Sequence, residues 1–223
     1  MELKSLQPDV DALVTTTIQD CLDGELIETH KDTSYEVLHY QTGLTNPAAR
    51  IMVNPARPLN IVVAVARWVW LMAGNDRVED IAYYEPKVRG FSDNGLTVPG
   101  SCYGARLFNS QPGIDQIAGV IDRLSKDSGS RQASAVVWQP HDAVRNSNDI
   151  PCTHGMFFHI RDGLLDMCVT MRSNNAFRIL PFNVFEFTML QEVVAKSLGV
   201  PMGDYVHWAA SMHDRSSQRQ RKA

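Results

Sequence analysis

The stretch NDIPCTHGMFFHIRDGLLDMCVTMRSNNAFRILPFN, residues 148–183, decides the fold of this chain, because its middle has the pattern of a β-hairpin. The runs 155–160 and 164–172 are rich in residues that favour strands. Between them stands Asp162-Gly163, a strong signal for a two-residue turn. The sequence therefore predicts two antiparallel strands joined at that turn.

Pairing the two runs about the turn places Cys152 opposite Arg172 or Ser173, just beyond the paired ends. A nearby guanidinium favours the thiolate form of a cysteine, and arginine grips phosphate through two parallel hydrogen bonds. The arrangement indicates a nucleophile next to a seat for an anion. The alternative is that Cys152 is a small buried apolar residue, which is the common state of a lone cysteine.

Composition limits the classes of protein and of partner. The 223 residues form one large domain or two small ones, and the net charge of −4 offers no basic field for nucleic acid. The longest apolar run, 59–73, is interrupted by Asn60 and Arg67, so we expect no membrane span. Four cysteines without C-x-x-C spacing, and no secretory signal, indicate a reduced, cytoplasmic protein.

Periodicity predicts the remaining elements. A nearly all-round apolar helix over 59–74 is expected to lie inside the domain or at a subunit contact. The other predictions are amphipathic helices over 8–22 and 114–127, a strand over 133–139, a helix over 184–198, a short strand over 205–211 and a flexible basic tail over about 215–223.

Nine short motifs together resemble the thymidylate synthase family, from about residue 60 to residue 213. They are WLMAG (70–74), CYG (102–104), SRQ (130–132), VVWQP (136–140), PC (151–152), RS (172–173), PFN (181–183), GDYVH (203–207) and His213. The resemblance implies an α/β (α+β) fold in a single catalytic domain, 1–223, with a mixed β-sheet and flanking helices. It also implies a homodimer formed by back-to-back packing of the sheets.

The resemblance implies a reaction as well. In the family a thiolate, here Cys152, adds to C6 of a pyrimidine nucleotide, which makes C5 a nucleophile. C5 then attacks the methylene of 5,10-methylenetetrahydrofolate, a co-substrate, and no metal takes part. Tyr103 matches the tyrosine associated with removal of the C5 proton.

Substrate contacts can be carried over residue by residue. Arg172 and Ser173 match phosphate ligands, and Arg131 matches a phosphate ligand that reaches across the dimer. Asn183 matches the residue that reads the pyrimidine edge, although an N-cap of the following helix is an equal alternative. His213 matches a contact to the sugar hydroxyl.

Departures from the family pattern concern the base and the folate. Thr153 stands where the family has a histidine near the 4-position of uracil, and the histidine is displaced to His154. The carboxamide of Asn183 can serve uracil or, when flipped, cytosine, so the changed 4-position favours cytosine. Asn175 replaces an aspartate of the folate region, and Arg67 replaces a glutamate, which puts the usual water relay in doubt.

The sugar end differs too. Arg215 replaces a sugar-binding tyrosine, and the small Ala176 leaves room for a ribose 2′-hydroxyl. Glu85, Asp93 and His154 are candidates by residue type alone for activating water.

The sequence stops ten residues after His213, where the family continues into a tail that closes the site. An open site admits water to an exocyclic methylene on C5, and water gives a hydroxymethyl group where hydride gives a methyl group. The pattern thus resembles the cytidylate-hydroxymethylating branch, which includes mildiomycin-type nucleoside antibiotic biosynthesis. We expect a hydroxymethyltransferase acting on CMP or dCMP. Two alternatives are a thymidylate synthase acting on dUMP and an inactive nucleotide-binding relative.

Overall fold

A computed structural model describes residues 6–29, 33–110 and 113–215 of the chain. The tail predicted for about 215–223 lies outside these residues from 216 onward. No helix in the described part is both long and apolar enough to cross a bilayer.

Helices and strands alternate irregularly along the chain. In order they are α1 (Val10–Leu22), β1 (Glu25–Glu28), β2 (Thr33–Leu44), α2 (Ile61–Ala73), α3 (Val78–Ala82), α4 (Tyr103–Phe108), α5 (Gln116–Lys126), β3 (Ser134–Val136), β4 (Thr153–Arg161), β5 (Leu164–Met171), β6 (Asn174–Asn175), α6 (Leu180–Leu198) and β7 (Met202–Asp214). Short 3₁₀ helices cover Pro86–Gly90 and Pro140–Ala143.

The described strands form one mixed sheet in the order β1-β2-β7-β5-β4-β3, and the short β6 pairs with β7. Strand β7 runs parallel to β5 and β6, and the other pairs are antiparallel. Helices α1, α5 and α6 cover one face, where the main core lies. The other face of the sheet exposes apolar side chains such as Leu38 and Phe157.

The predicted hairpin is confirmed as β4 and β5. Asp162 and Gly163 have φ of 51° and 77°, and positive values at both positions are those of the turn that an Asp-Gly pair favours. The resulting register sets Phe157 opposite Cys168. The backbone pairing continues beyond the strands to Cys152 and Arg172.

Helix α6 begins at Leu180, four residues before the predicted start. Pro181 lies in its first turn, where a missing N–H costs nothing because that N–H has no intrahelical partner. Asn183 therefore lies inside the helix, and the alternative that it is the N-cap is wrong; Ile179 holds that position. The predicted apolar face is confirmed, since Val184, Phe187, Leu190 and Val194 are buried in the core and Leu198 packs partly buried against it.

Helix α2 is less buried than its composition predicts. Ala64, Trp70 and Leu71 are buried, whereas Val62 and Val69 are 59% and 60% exposed. The prediction that this helix lies inside the domain is wrong, because one face covers the core and the other faces outward. A subunit contact for the outward face stays a prediction.

The other predicted elements are confirmed with shifted ends. Helix α1 is capped by Asp9, whose carboxylate accepts the N–H of Ala12 at 2.8 Å. Helix α5 matches its prediction within two residues. The strand predicted over 133–139 is reduced to β3, and the last strand, β7, is longer than predicted.

A buried ion pair ties α4 to the loop after β3. Arg106 and Asp142 are 5% and 3% exposed, and Nη2 of Arg106 lies 2.9 Å from Oδ1 of Asp142. Nη1 of Arg106 also donates to the carbonyl of Val137 at 2.8 Å. The guanidinium is thus fully committed to partners inside the protein.

We expect Asp142→Ala to lower the free energy of unfolding by about 3–5 kcal/mol, because it leaves the buried Arg106 charge without its partner. Urea denaturation of the purified variant measures this loss. Asp122→Ala is the control, because Asp122 forms an exposed pair with Lys126 and its loss should cost less than about 1 kcal/mol. Equal effects of the two changes would contradict the assignment.

Candidate active site

Cys152 is the residue immediately before β4, and Arg172 is the residue immediately after β5. The N–H of Arg172 donates to the carbonyl of Cys152 at 2.8 Å, as the hairpin register predicts. The guanidinium turns back on the loop before the cysteine: Nε donates to the carbonyl of Pro151 at 2.9 Å, and Nη2 to that of Ile150 at 3.1 Å. A cationic group is therefore fixed beside the thiol.

Two opposing effects act on the thiol. Burial raises the pKa of Cys152, and the guanidinium of Arg172 lowers it, with burial the larger effect. The expected influence of Arg172 is present, but the net pKa of Cys152 lies above that of an ordinary cysteine. The free protein therefore holds this group mainly as a thiol at neutral pH.

Tyr103, the first residue of α4, lies near the same thiol. Its ring stacks on that of Phe187, with the centroids 6.1 Å apart. Burial and then the nearby Cys152 raise the pKa of Tyr103, while the neighbouring Thr153 hydroxyl acts in the opposite direction. The phenol of Tyr103 therefore lies close to both the thiol of Cys152 and the hydroxyl of Thr153.

Gly104 allows α4 to reach this position. A Cβ on Gly104 would lie 1.8 Å from the carbonyl oxygen of Leu71 in α2, so no larger residue fits without moving a helix. The glycine lets the two helices touch through their backbones, which places Tyr103 against α6.

Asn183 and Thr153 are the candidate base-reading residues. They are 1% and 0% exposed. Within the described residues, Oδ1 of Asn183 has no hydrogen-bond partner. A buried carboxamide oxygen without a partner is unfavourable unless a ligand supplies a donor, so this atom is available to a nucleotide base.

The candidate sugar contacts lie along one edge, where β6 runs beside β7. The N–H of Ala176 donates to the carbonyl of His213 at 2.9 Å, and the Ala176 side chain is fully buried. Burial lowers the pKa of His213, against the opposing effect of nearby carboxylates. Arg215 follows two residues later and is exposed, and Ser173 is half-buried beside Arg172.

Asn175, the candidate folate contact, is partly used by the chain itself. Its Oδ1 accepts the N–H of Arg178 at 2.7 Å and shapes the turn that leads into α6. Among the described residues, no hydrogen bond from its side-chain amide nitrogen is seen.

Arg131 does not join the other candidates. It lies in the loop before β3, in a surface cleft that also contains Asp162 and Gly163, and thus at the turn end of the hairpin. Cys152 lies at the opposite end of β4, roughly 25 Å away at about 3.3 Å per strand residue. Within one chain, Arg131 cannot contact a nucleotide held at Cys152.

Sequence reasoning missed one group in this pocket, the carboxylate of Glu186. Glu186 lies on α6 and is 3% exposed, and it forms an ion pair with Nε of Arg67. Nη1 of Arg67 also lies 3.1 Å from Oε2 of Glu85. Burial opposes the charge of Arg67, but the two carboxylates outweigh it and hold its pKa above the ordinary value. The available signal was a glutamate within the apolar stripe of α6, three residues after Asn183.

A sequence model of a protein family described as thymidylate synthase matches residues 31–218. The chain belongs to the thymidylate synthase family. This family uses methylenetetrahydrofolate as a co-substrate for one-carbon transfer.

Among curated relatives, the deoxyuridylate hydroxymethyltransferase of Pseudomonas phage M6 is 33% identical over 170 residues, covering 75% of this chain and 48% of the relative. A putative thymidylate synthase of Methanocaldococcus jannaschii is 29% identical over 199 residues, covering 86% of this chain and 80% of the relative. The chain spans about half the length of the phage hydroxymethyltransferases that it matches.

Among solved structures, the thymidylate synthase of T4 phage superposes with a TM-score of 0.73 at 21% identity, covering 95% of this chain and 78% of that one. The likeness confirms the predicted thymidylate synthase-like fold, a mixed sheet flanked by helices.

The opposing effects on Cys152 predict its reactivity. At neutral pH, iodoacetamide should modify Cys152 more slowly than free cysteine, because the raised pKa keeps the thiolate fraction low. Arg172→Gln should slow the reaction further and shift its pH midpoint upward, whereas Arg172→Lys should restore most of the rate. Peptide mass spectrometry across pH follows Cys152 separately from the half-buried Cys168.

Arg161→Gln serves as the control, because Arg161 is an exposed arginine at the far end of β4. If Arg161→Gln and Arg172→Gln change the pH midpoint equally, Arg172 has no specific effect on the thiol.

Proposed function

We propose that this protein hydroxymethylates C5 of a pyrimidine nucleoside monophosphate, with methylenetetrahydrofolate as the one-carbon donor. The observation that carries the proposal is the position of the Cys152 thiol beside Arg172 and Tyr103. The buried Asn183 supports it, because its carboxamide oxygen, unpartnered among the described residues, lies one helical turn before Phe187, which stacks on Tyr103. The names of the phage relatives support hydroxymethyl transfer over methyl transfer.

In this proposal the phosphate binds Arg172 and Ser173 at the end of the hairpin, which sets C6 of the base over the Cys152 sulfur. Burial keeps the thiol protonated in the free protein, so the thiolate forms as it attacks C6, and the electron pair of C5=C6 moves to C5. C5 then bonds to the donor methylene and loses its proton, for which Tyr103 and Thr153 are positioned.

Loss of tetrahydrofolate leaves an exocyclic methylene on C5. Water adds its oxygen to that carbon and gives up one proton, and the Cys152 thiolate leaves C6 with its bonding electrons. In the overall reaction, the nucleotide, methylenetetrahydrofolate and water are converted to the 5-hydroxymethyl nucleotide and tetrahydrofolate. The folate is released as tetrahydrofolate and is not oxidised to dihydrofolate.

CMP or dCMP is the substrate we favour. The unpartnered Oδ1 of Asn183 can accept from the 4-amino group of cytosine, and the Thr153 hydroxyl adds a small polar group on that side. Ala176 has no atoms beyond Cβ beside His213, and we take this small, buried side chain to be what allows the site to accept the 2′-hydroxyl of CMP. Such a product would suit mildiomycin-type nucleoside antibiotic biosynthesis.

The second candidate substrate is dUMP, which the names of the phage relatives favour. The same carboxamide of Asn183, turned over, can accept from N3–H and donate to O4 of uracil. Thymidylate synthesis from dUMP is the related alternative, which the Methanocaldococcus relative's name favours. An inactive nucleotide binder is a third possibility.

Product analysis separates these candidates. The protein is incubated with methylenetetrahydrofolate and, separately, with CMP, dCMP and dUMP. We expect a CH₂O increment on CMP or dCMP without dihydrofolate, and no product from Cys152→Ala. A CH₂O increment on dUMP alone would overturn the cytosine assignment, a methyl group with dihydrofolate would indicate thymidylate synthesis, and no product would leave a nucleotide binder.

We also propose a homodimer in which Arg131 completes the phosphate site of the partner subunit. The exposed apolar face of the sheet, with Leu38 and Phe157, provides a surface for back-to-back packing. The separation of Arg131 from Cys152 along β4 supports the proposal, because the residue can act on phosphate only from another subunit.

Mixing two impaired variants tests this arrangement. Cys152→Ala and Arg131→Ala should each lose activity, by at least about tenfold for the loss of a phosphate ligand. After subunit exchange, the mixture should recover roughly a quarter of the parent activity, because half of the dimers then contain one complete site. A mixture no more active than its components would place both residues in the same subunit's site or show that Arg131 is not needed.

A further inference from the structure

The buried ion pair of Arg67 and Glu186 has no role in the steps above. The two side chains are 18% and 4% exposed, so both charges are largely removed from water. A buried pair of this kind contributes little net stability, since desolvation offsets most of the attraction. Buried charged groups inside a reactive pocket are candidates for chemistry.

The pair lies next to the reacting groups. Glu186 is three residues after Asn183 on α6, and the following residue, Phe187, stacks on Tyr103. Glu186 and Arg67 both act on the pKa of Tyr103, in opposite directions, which places both charges close to the phenol. Tyr103 in turn neighbours Cys152.

The carboxylate has one oxygen to spare. Nε of Arg67 engages Oε1 of Glu186, and among the described residues no hydrogen bond reaches Oε2. The guanidinium of Arg67 lies 5.4 Å from the centroid of the Phe182 ring, and Glu85 holds its other end. Contacts with Phe182, Glu85 and Glu186 therefore hold the guanidinium of Arg67 in place, and Arg67 in turn orients the carboxylate of Glu186.

We propose that Glu186 binds the water that adds to the C5 methylene and accepts its proton, with Arg67 as the positioning residue. This inference rests on the proposed function. The water oxygen bonds to the methylene carbon, one water proton passes to Oε2 of Glu186, and the Cys152 thiolate leaves C6 with its electron pair. Glu186 returns the proton to the departing thiolate or to solvent, and no oxidant or reductant is needed.

Other candidates for this role are placed less well. Glu85 is 31% exposed, and within the described parts of the chain its contact with this region is the ion pair with Arg67. Asp93 is bonded to the hydroxyl of Ser147 at the surface. His154 is exposed, on the face of β4 away from Thr153, with its ring 5.0 Å from that of Trp138.

The test separates hydration from the earlier steps. In Glu186→Gln, single-turnover release of the C5 hydrogen from tritiated nucleotide should stay within about threefold of the parent. Formation of hydroxymethyl product should fall by about 10²-fold or more, the usual effect of losing a general base. With 2-mercaptoethanol present, a thioether at the C5 methylene should accumulate, because the thiol attacks where water no longer does.

The matched control is Glu192→Gln, which changes a carboxylate on the same helix that is ion-paired with Arg50 at 2.7 Å, away from the pocket. It should leave both readouts unchanged. Nucleotide binding without folate, measured by calorimetry, should also match the parent in both variants.

A double variant controls for the chance that Glu186→Gln simply unfolds the protein by leaving Arg67 without its partner. Arg67→Met with Glu186→Leu removes both charges and keeps the volume, a change that buried ion pairs often tolerate. It should bind nucleotide and release the C5 hydrogen, and it should not form hydroxymethyl product. The role of Glu186 would be overturned if Glu186→Gln or the double variant formed hydroxymethyl product at the parent rate. It would also be overturned if either variant lost C5 hydrogen release and product formation to the same extent. A parent that forms no hydroxymethyl product from CMP, dCMP or dUMP would instead overturn the proposed function, and this inference with it.

Discussion

The register of the hairpin formed by β4 and β5 is the constraint on which the rest of the site depends. Side chains alternate between faces along a strand, so a slip of one residue would turn the buried Phe158 and Val169 out of the core. The same slip would separate the thiol of Cys152 from the guanidinium of Arg172. The core and the pocket are thus fixed by one set of backbone hydrogen bonds, and the positive φ values of Asp162 and Gly163 select it.

Much of the fold could be predicted because its signals are local. The Asp-Gly turn, the periodicity of α1 and α5 and the stop at Gly199 each depend on a few neighbouring residues. The predicted start of α6 is four residues late, because Asn183 is a residue type favoured at N-caps and directly precedes the apolar periodicity. The burial of α2 was overestimated, because an apolar composition does not show which face of a helix the rest of the chain covers.

The site was predictable where residues lie near one another in sequence or match a family motif. The contact between Cys152 and Arg172 was predicted from the hairpin register and is confirmed, and Asn183 became a candidate through a family motif. The contact between Arg67 and Glu186 spans 119 positions and depends on how α2, α4 and α6 pack, including the close approach at Gly104. A pattern in one sequence carries no information about such a pair, apart from a charged residue in an apolar stripe.

The raised pKa of Cys152 has a consequence for the lifetime of the protein. Oxidation by peroxide proceeds through the thiolate, so a cysteine that stays protonated at rest is a poor target. In the proposed reaction the bound nucleotide covers the same sulfur, which then forms a thioether with C6 of the base and is no longer a thiolate. If Cys152 is the nucleophile that we propose, its burial also limits its oxidation in the free protein.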